Sequence, residues 1–260
     1  MTSMTRPKRA WLVIAGQELR ELWLSARGPV LVLLFSLLLS VITYLAAADK
    51  ELNILDQRQT VNLVLQVTLA IGVALALLLS ADAISGERER ETLESLLLTP
   101  IPRRDIAIGK LVAAFSVWPV IILVAIPYIW ILREGGEIFT DAVLVAPLIG
   151  ALLVVAFASL GLVVSTASSS NRASLAVSFF AFVALMVPTQ LPLKGWTGDA
   201  LRYTNPVTAG SRFIEKVVVD NHSWGDEVSL LIAPVLAAVI TLTAAVVLAT
   251  RLRIYGGFGR

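Results

Sequence analysis

Long uncharged apolar stretches alternate with short polar ones along this chain. Six of the apolar stretches, residues 28–48, 61–81, 111–132, 142–166, 173–193 and 228–250, contain no Asp, Glu, Lys, Arg or His. A helix crosses a hydrocarbon layer roughly 30 Å thick with about 20 such residues. Barrel strands would alternate apolar and polar positions over about ten residues, which these runs do not. The pattern predicts an all-α, polytopic membrane protein with six transmembrane helices.

The segments between the runs have patterns of their own. Residues 1–27 precede the first span. Within them Trp11, Leu12, Ala15, Leu19, Leu22 and Trp23 fall within one third of a helical wheel, while Gln17, Arg20 and Glu21 lie elsewhere. Val13, Ile14 and Leu24 interrupt the polar face. This reads as an amphipathic interfacial helix on the membrane surface, with Glu18, Arg20, Glu21 and Arg27 opposing insertion. The alternative is the start of span one, anchored by its tryptophans. The second run carries Asn62 and Gln66 one turn apart, where they line a substrate path or fasten neighbouring helices. The third carries Pro119 and Pro127, which invite kinks but are also common in membrane helices.

After span five, where Pro188 and Pro192 should end the helix, residues 195–227 form the longest extramembrane stretch. Val207, Phe213, Ile214 and Val217 make one side of a short helix capped near Thr204 or Asn205. It is too short and too charged to span, so it reads as a surface or partly inserted outer helix.

Composition supports the class. The 260 residues are 57% hydrophobic and 15% charged, with mean hydropathy +0.82, above the range of soluble domains. There is no cysteine, which excludes disulfides and thiolate chemistry. Net charge is only +2, yet its distribution is informative. With six spans both termini share a side. Residues 1–27, 82–110, 167–172 and 251–260 on that side hold fourteen of the 21 basic residues, against seven opposite. The excess of Lys and Arg assigns both termini to the cytoplasm, in a multi-pass protein of the cell (inner) membrane. Ala46-Ala47-Ala48 has the look of a signal-peptidase site, but the apolar run before it exceeds the 7 to 15 residues typical of a signal peptide, so an uncleaved span is expected.

Catalytic constellations are missing. No phosphate-binding Gly-x-x-x-x-Gly-Lys-Ser/Thr run exists: Gly109-Lys110 is followed by Leu111 and has Arg104 where the first glycine should stand. His222 is the sole histidine, in a polar loop, so no metal set or histidine base is expected. Spans free of ionisable groups argue against intramembrane proteolysis and proton coupling. Basic residues without interleaved aromatics give no nucleic-acid case.

The remaining stretch, between spans two and three, concentrates charge. Ser85 to Thr99 reads as a surface helix with Arg90–Glu94, Glu87–Arg90 and Arg88–Glu91 paired across one turn, a leucine patch of Leu93, Leu96 and Leu97, and a stop at Pro100 and Pro102. Its leucines either dock into a partner's groove or face lipid.

The residues Ile84, Glu87, Arg88, Glu89, Thr92, Leu93, Glu94, Leu96, Leu97, Thr99, Pro100, Arg103, Gly109 and Lys110 closely resemble the signature of ABC-2 type permeases, the membrane subunits of ATP-binding-cassette exporters. "RYTNPVTAGSRFIE" is similar to that family's outer Pro-containing stretch. The resemblance implies one permease domain over 1–260, pairing with a second permease copy or paralogue and with two cytoplasmic ATPase subunits. ATP and Mg would sit on those subunits, with no cofactor and no enzymatic activity on this chain. It also implies that the helix between spans two and three is a coupling helix. Leu93, Leu96 and Leu97 would fill the ATPase groove, Glu87, Arg88, Glu89 and Glu94 would orient the contact, and Thr92, Pro100 and Arg103 belong to the same element. A non-transporting scaffold driven by the same ATPase is the alternative. The family pattern has Gly where this chain has Glu91; Glu is the better helix former, so a straighter helix is expected there.

Overall fold

The computed structural model describes residues 10–48, 54–132, 136–190 and 195–251. Arg6, Lys8, Arg9, Arg253 and Arg260, residues 49–53 between the first two runs, and Pro192 lie outside the described residues. Eleven α-helices occur among the described residues: α1 (Ala10–Leu24), α2 (Arg27–Ala48), α3 (Ile54–Glu89), α4 (Leu93–Leu97), α5 (Arg103–Phe115), α6 (Val117–Leu132), α7 (Gly136–Ala167), α8 (Asn171–Gln190), α9 (Trp196–Thr204), α10 (Pro206–Val218) and α11 (Ile232–Thr250). A short 3-10 turn over Val228–Leu231 leads into α11. Six helical stretches are long and apolar enough to cross a membrane, with α5 and α6 together forming the third. The protein is an all-α polytopic membrane protein.

At the centre α3 packs along α7, with α11 on the other flank of α7, α8 and α6 against α3, and α2 outside α6. Small residues set the closest approaches. A Cβ at Gly161 of α7 would lie 2.4 Å from the Leu77 carbonyl oxygen of α3, and one at Gly150 would enter the Trp118 ring. Trp118 sits in the space left by Gly150 and Gly72, and its indole N–H donates to the Pro147 carbonyl at 3.0 Å. Outside this centre α2 is held to α6 by Ser36 and Ser40, whose hydroxyls meet the Tyr128 hydroxyl at 2.8 and 2.9 Å.

Three expectations change here. The run 111–132 is two helices joined at Ser116, because the Pro119 ring excludes the carbonyl four residues earlier, that of Phe115, where α5 ends. Helix α1 packs on α5 through Ile14, Ala15 and Leu22, so Ile14, read as an intruder on a polar face, is a buried contact while Leu12 is exposed. The third concerns residues 85–99, which are two elements. Helix α3 continues without interruption to Glu89, and α4 holds only five residues.

The chain leaves α3 through a left-handed residue. Glu91 has φ 61°, the Thr92 N–H donates back to the Glu87 carbonyl at 3.0 Å, and the Glu91 N–H to the Arg88 carbonyl at 3.3 Å. These two bonds are the helix ending in which glycine is favoured at the left-handed position. The straighter helix expected from Glu91 is therefore overturned. A break is needed at 91 whatever residue occupies it, and Gly in the family pattern is the residue that adopts it without steric cost.

Candidate functional site

Two regions carry polar groups into the bundle. The first lies at its charged end, where α1, α3 and α5 converge. Gly109 lets α1 approach α5: a Cβ there would fall 2.7 Å from Ile14 Cγ2 and 3.1 Å from the Ala15 nitrogen. The next residue, Lys110, is thereby brought under α1, its side chain 3% exposed. Its Nζ donates to Glu18 Oε1 of α1 and Glu87 Oε1 of α3, both at 2.6 Å. Two carboxylates offset the desolvation of one buried ammonium, and three helices are joined through one atom. Beside it is a cavity of about 100 Å³ lined in part by Glu21, Arg27, Asp82 and Arg90.

The end of α3 is also tied to the turn between α7 and α8. Arg88 donates to the carbonyl oxygens of Ser168 and Thr166, at the C-terminal end of α7 where carbonyls carry partial negative charge. The Asn171 side-chain amide donates to Asp82 Oδ1 at 2.7 Å, its oxygen accepts from Ser85 Oγ at 3.0 Å, and its backbone N–H donates to Glu89 Oε2 at 3.2 Å. Ser174 Oγ donates to the Ala81 carbonyl at 2.7 Å. Ser165 Oγ accepts from the Ile84 and Ser85 backbone amides.

These contacts revise the expected charge pairs. Among the described residues Arg90 pairs with Asp82, at 3.3 Å, rather than with Glu94 or Glu87, and Arg88 bonds to carbonyls rather than to Glu91. Glu87, Arg88 and Glu89 are thus engaged within the chain. Leu93 is 7% exposed and part of the core, so it is closed to a partner's groove in this conformation; Leu96 and Leu97 are half-buried, and Leu98, absent from the expected patch, is 75% exposed. Thr92, Glu94 and Pro100 are exposed and Arg103 is half-buried. Sequence reading gave Glu18 only as a charge opposing insertion and passed over Asp82, Asn171 and Leu98. The signal for Asp82 was there, as the charge that ends an apolar run; nothing local marks Glu18 as the partner of a residue 92 positions away.

The second region lies at the far end, between α3, α8 and α10. The outer segment is two helices, and the second folds into the bundle. Asn205 caps α10, its side-chain oxygen accepting from the Val207 and Thr208 amides at 2.9 and 3.3 Å, and Pro206 occupies the first helical position, where no N–H is needed. Val207, Phe213, Ile214 and Val217 are all buried. Ser211 and Glu215, one and two turns on from Val207, line with it a cavity of about 520 Å³ together with Asn62 and Gln66 of α3 and Met186 and Thr189 of α8. Gln66 Nε2 donates to the Ser211 carbonyl at 3.2 Å and to Asn62 Oδ1 at 3.5 Å. Both sequence readings of this pair therefore have structural content: Gln66 fastens α3 to α10, and both residues line a cavity.

Residues 12–252 match the model of the ABC-2 family transporter proteins. The chain belongs to this family. No curated relative matches it. Membership makes the chain the membrane permease component of an ABC transporter, with an ABC ATPase subunit as its partner. In this ABC-2 protein both polar regions lie on α3, the charged end at its C-terminus and the cavity near its N-terminus.

Proposed function

We propose that the chain is the permease of an ABC exporter, working as a pair with a second copy or a paralogue and driven by two cytoplasmic ATPase subunits that bind ATP and Mg. The observation that carries the reading is the continuity of α3. Its 36 residues run about 54 Å at 1.5 Å per residue, of which about 39 Å separate Asn62 in the cavity from Arg88 at the held end. A displacement of α4 by an ATPase closing on ATP reaches the cavity through one rigid element. The basic residues concentrated at the charged end support a cytoplasmic location for it and for both termini. A cavity of about 520 Å³ favours transport over a scaffold, which has no use for one.

In this reading α4 presents Leu98, with half-buried Leu96 and Leu97 beside it, and Glu94 orients the contact. Glu87, Arg88 and Glu89 hold the element in place, and Arg103 follows it half-buried at the start of α5. Double substitution Glu94→Lys and Leu98→Asp should abolish co-purification of the ATPase subunit while the permease still inserts in the membrane. Undiminished co-purification would show that α4 is not the docking element.

A further inference from the structure

The lining of the far-end cavity has an unbalanced chemistry. Glu215 is the one ionisable residue among the described residues that line it, and it is exposed. Among the described residues no cation pairs with it. Lys216 is bonded to Glu227 at 2.6 Å, and Arg58 donates to the carbonyls of Val218 and Val219 at 3.3 Å. Arg212 lies outside the lining. The carboxamide of Gln66 adds to the bias: its N–H groups are engaged by Asn62 Oδ1 and the Ser211 carbonyl, which leaves Oε1 as an acceptor. The one fixed charge among the described residues of this wall is thus negative, beside amides and hydroxyls of Gln59, Asn62, Thr189 and Ser211 that can donate as well as accept. Leu63, Val67, Leu69, Met186, Val207 and Val219 supply the apolar part of the lining. At about 520 Å³ the space falls within the roughly 300–1,000 Å³ of small-ligand sites.

We infer that the cavity binds an amphipathic organic cation, its charged centre at Glu215 and its apolar body against Met186, Val67 and Val207. As a statement about substrate class, this rests on the permease reading. A carboxylate in a partly apolar wall discriminates by charge sign more strongly than by shape, because the local dielectric is below that of water. Glu215 is then a specificity-determining residue.

Tetraphenylphosphonium and tetraphenylborate, a cation and an anion of nearly the same shape, test this on the full chain in nanodiscs of zwitterionic lipid. Labelled phosphonium should bind saturably and borate should not. Glu215→Gln should weaken phosphonium binding about tenfold, the scale of one partly screened charge contact. Glu215→Asp should retain binding, and Glu215→Lys should transfer the preference to borate. The exposed position makes these variants fold, and unchanged thermal midpoints verify it. Equal binding of the two ions, no saturable phosphonium binding to the wild type, or an undiminished affinity in Glu215→Gln would overturn the inference. The same probe in the complex with the ATPase separates the two layers. Charge-selective binding without any change in ATP hydrolysis supports the site and counts against the permease reading. Hydrolysis that responds to other compounds, in a complex that ignores phosphonium, upholds the permease and removes the cation site.

Discussion

The charged end of the bundle borders an open cleft of about 100 Å³ beside a lysine bonded twice, and the far end one of about 520 Å³ beside a carboxylate bonded to nothing among the described residues. Both are built on α3, yet they treat polar groups in opposite ways. At the charged end Lys110, Arg88, Asp82 and Glu89 each find a partner on another helix. Such cross-links resist relative motion of the helices they join. At the far end α10 is buried through its apolar side, and its Glu215 carboxylate faces open space. The contrast suits a device in which one end transmits displacement and the other accommodates a guest.

The largest effect is expected from breaking the charged end. Lys110→Met leaves Glu18 and Glu87 facing each other without a cation, a loss of about 3 kcal/mol by comparison with other buried pairs missing one partner. Because the joint links α1, α3 and α5, purified protein should show a lower thermal midpoint. ATP hydrolysis by the assembled complex should lose its response to substrate. A midpoint equal to wild type would mean that the three helices are held by packing alone.

A smaller effect, of opposite sign, is expected at the end of α3. A side chain in the left-handed conformation costs roughly 1–2 kcal/mol relative to glycine, so Glu91→Gly should stabilise the protein by about 1 kcal/mol, read as a raised midpoint. This sharpens the contrast by making the transmitting end firmer. No gain, or a loss, would indicate that the Glu91 side chain makes up its backbone cost through contacts of its own.

The smallest effect concerns the surface of the far end. Glu227 accepts from Lys216 Nζ at 2.6 Å and meets His222 Nδ1 at 3.0 Å. These bonds, the one from Lys216 first, hold its carboxyl below the ordinary value of 4.5. A carboxylate that is more acidic folded than unfolded stabilises fully above the ordinary value, and its contribution vanishes as the pH falls through the lowered one. The turn joining α10 to α11 should therefore loosen only in acid below pH 4.5. Trp224, whose ring lies edge-on to Phe213 at 6.4 Å, reports it as an emission change. The acid step should be missing in Glu227→Gln; an identical step in that variant would place the titration elsewhere.

Much of the architecture was legible along the chain. Each of the six apolar runs overlaps a candidate spanning helix among the described residues, since the length and hydropathy of a run are properties of the run alone. The cap at Asn205 and the buried side of α10 were legible for the same reason, because a cap and a helical stripe are local. Leu93 was not: a leucine on a short charged helix looks alike whether it faces a partner or its own core. The pairing of Arg90 with Asp82 was also hidden. The spacing of Glu87, Arg90 and Glu94 suits one continuous helix, and the left-handed residue at 91 ends that helix before the pairs can form.

The amino-acid order alone therefore determined that the chain is helical, crosses a membrane six times and carries a charged element between its second and third spans. These follow from the cost of placing charge and unpaired backbone in hydrocarbon, which each segment meets independently. Tertiary structure decided the partners. Glycines at 109, 150, 161 and 210 let helices approach closely enough to touch; the one at 109 accompanies the meeting of Glu18 and Lys110 across 92 positions, and the packing of α3 and α10 on α7 the meeting of Gln66 and Ser211 across 145. A hydrogen bond depends on a few tenths of an ångström between two helices, and only their packing supplies that distance.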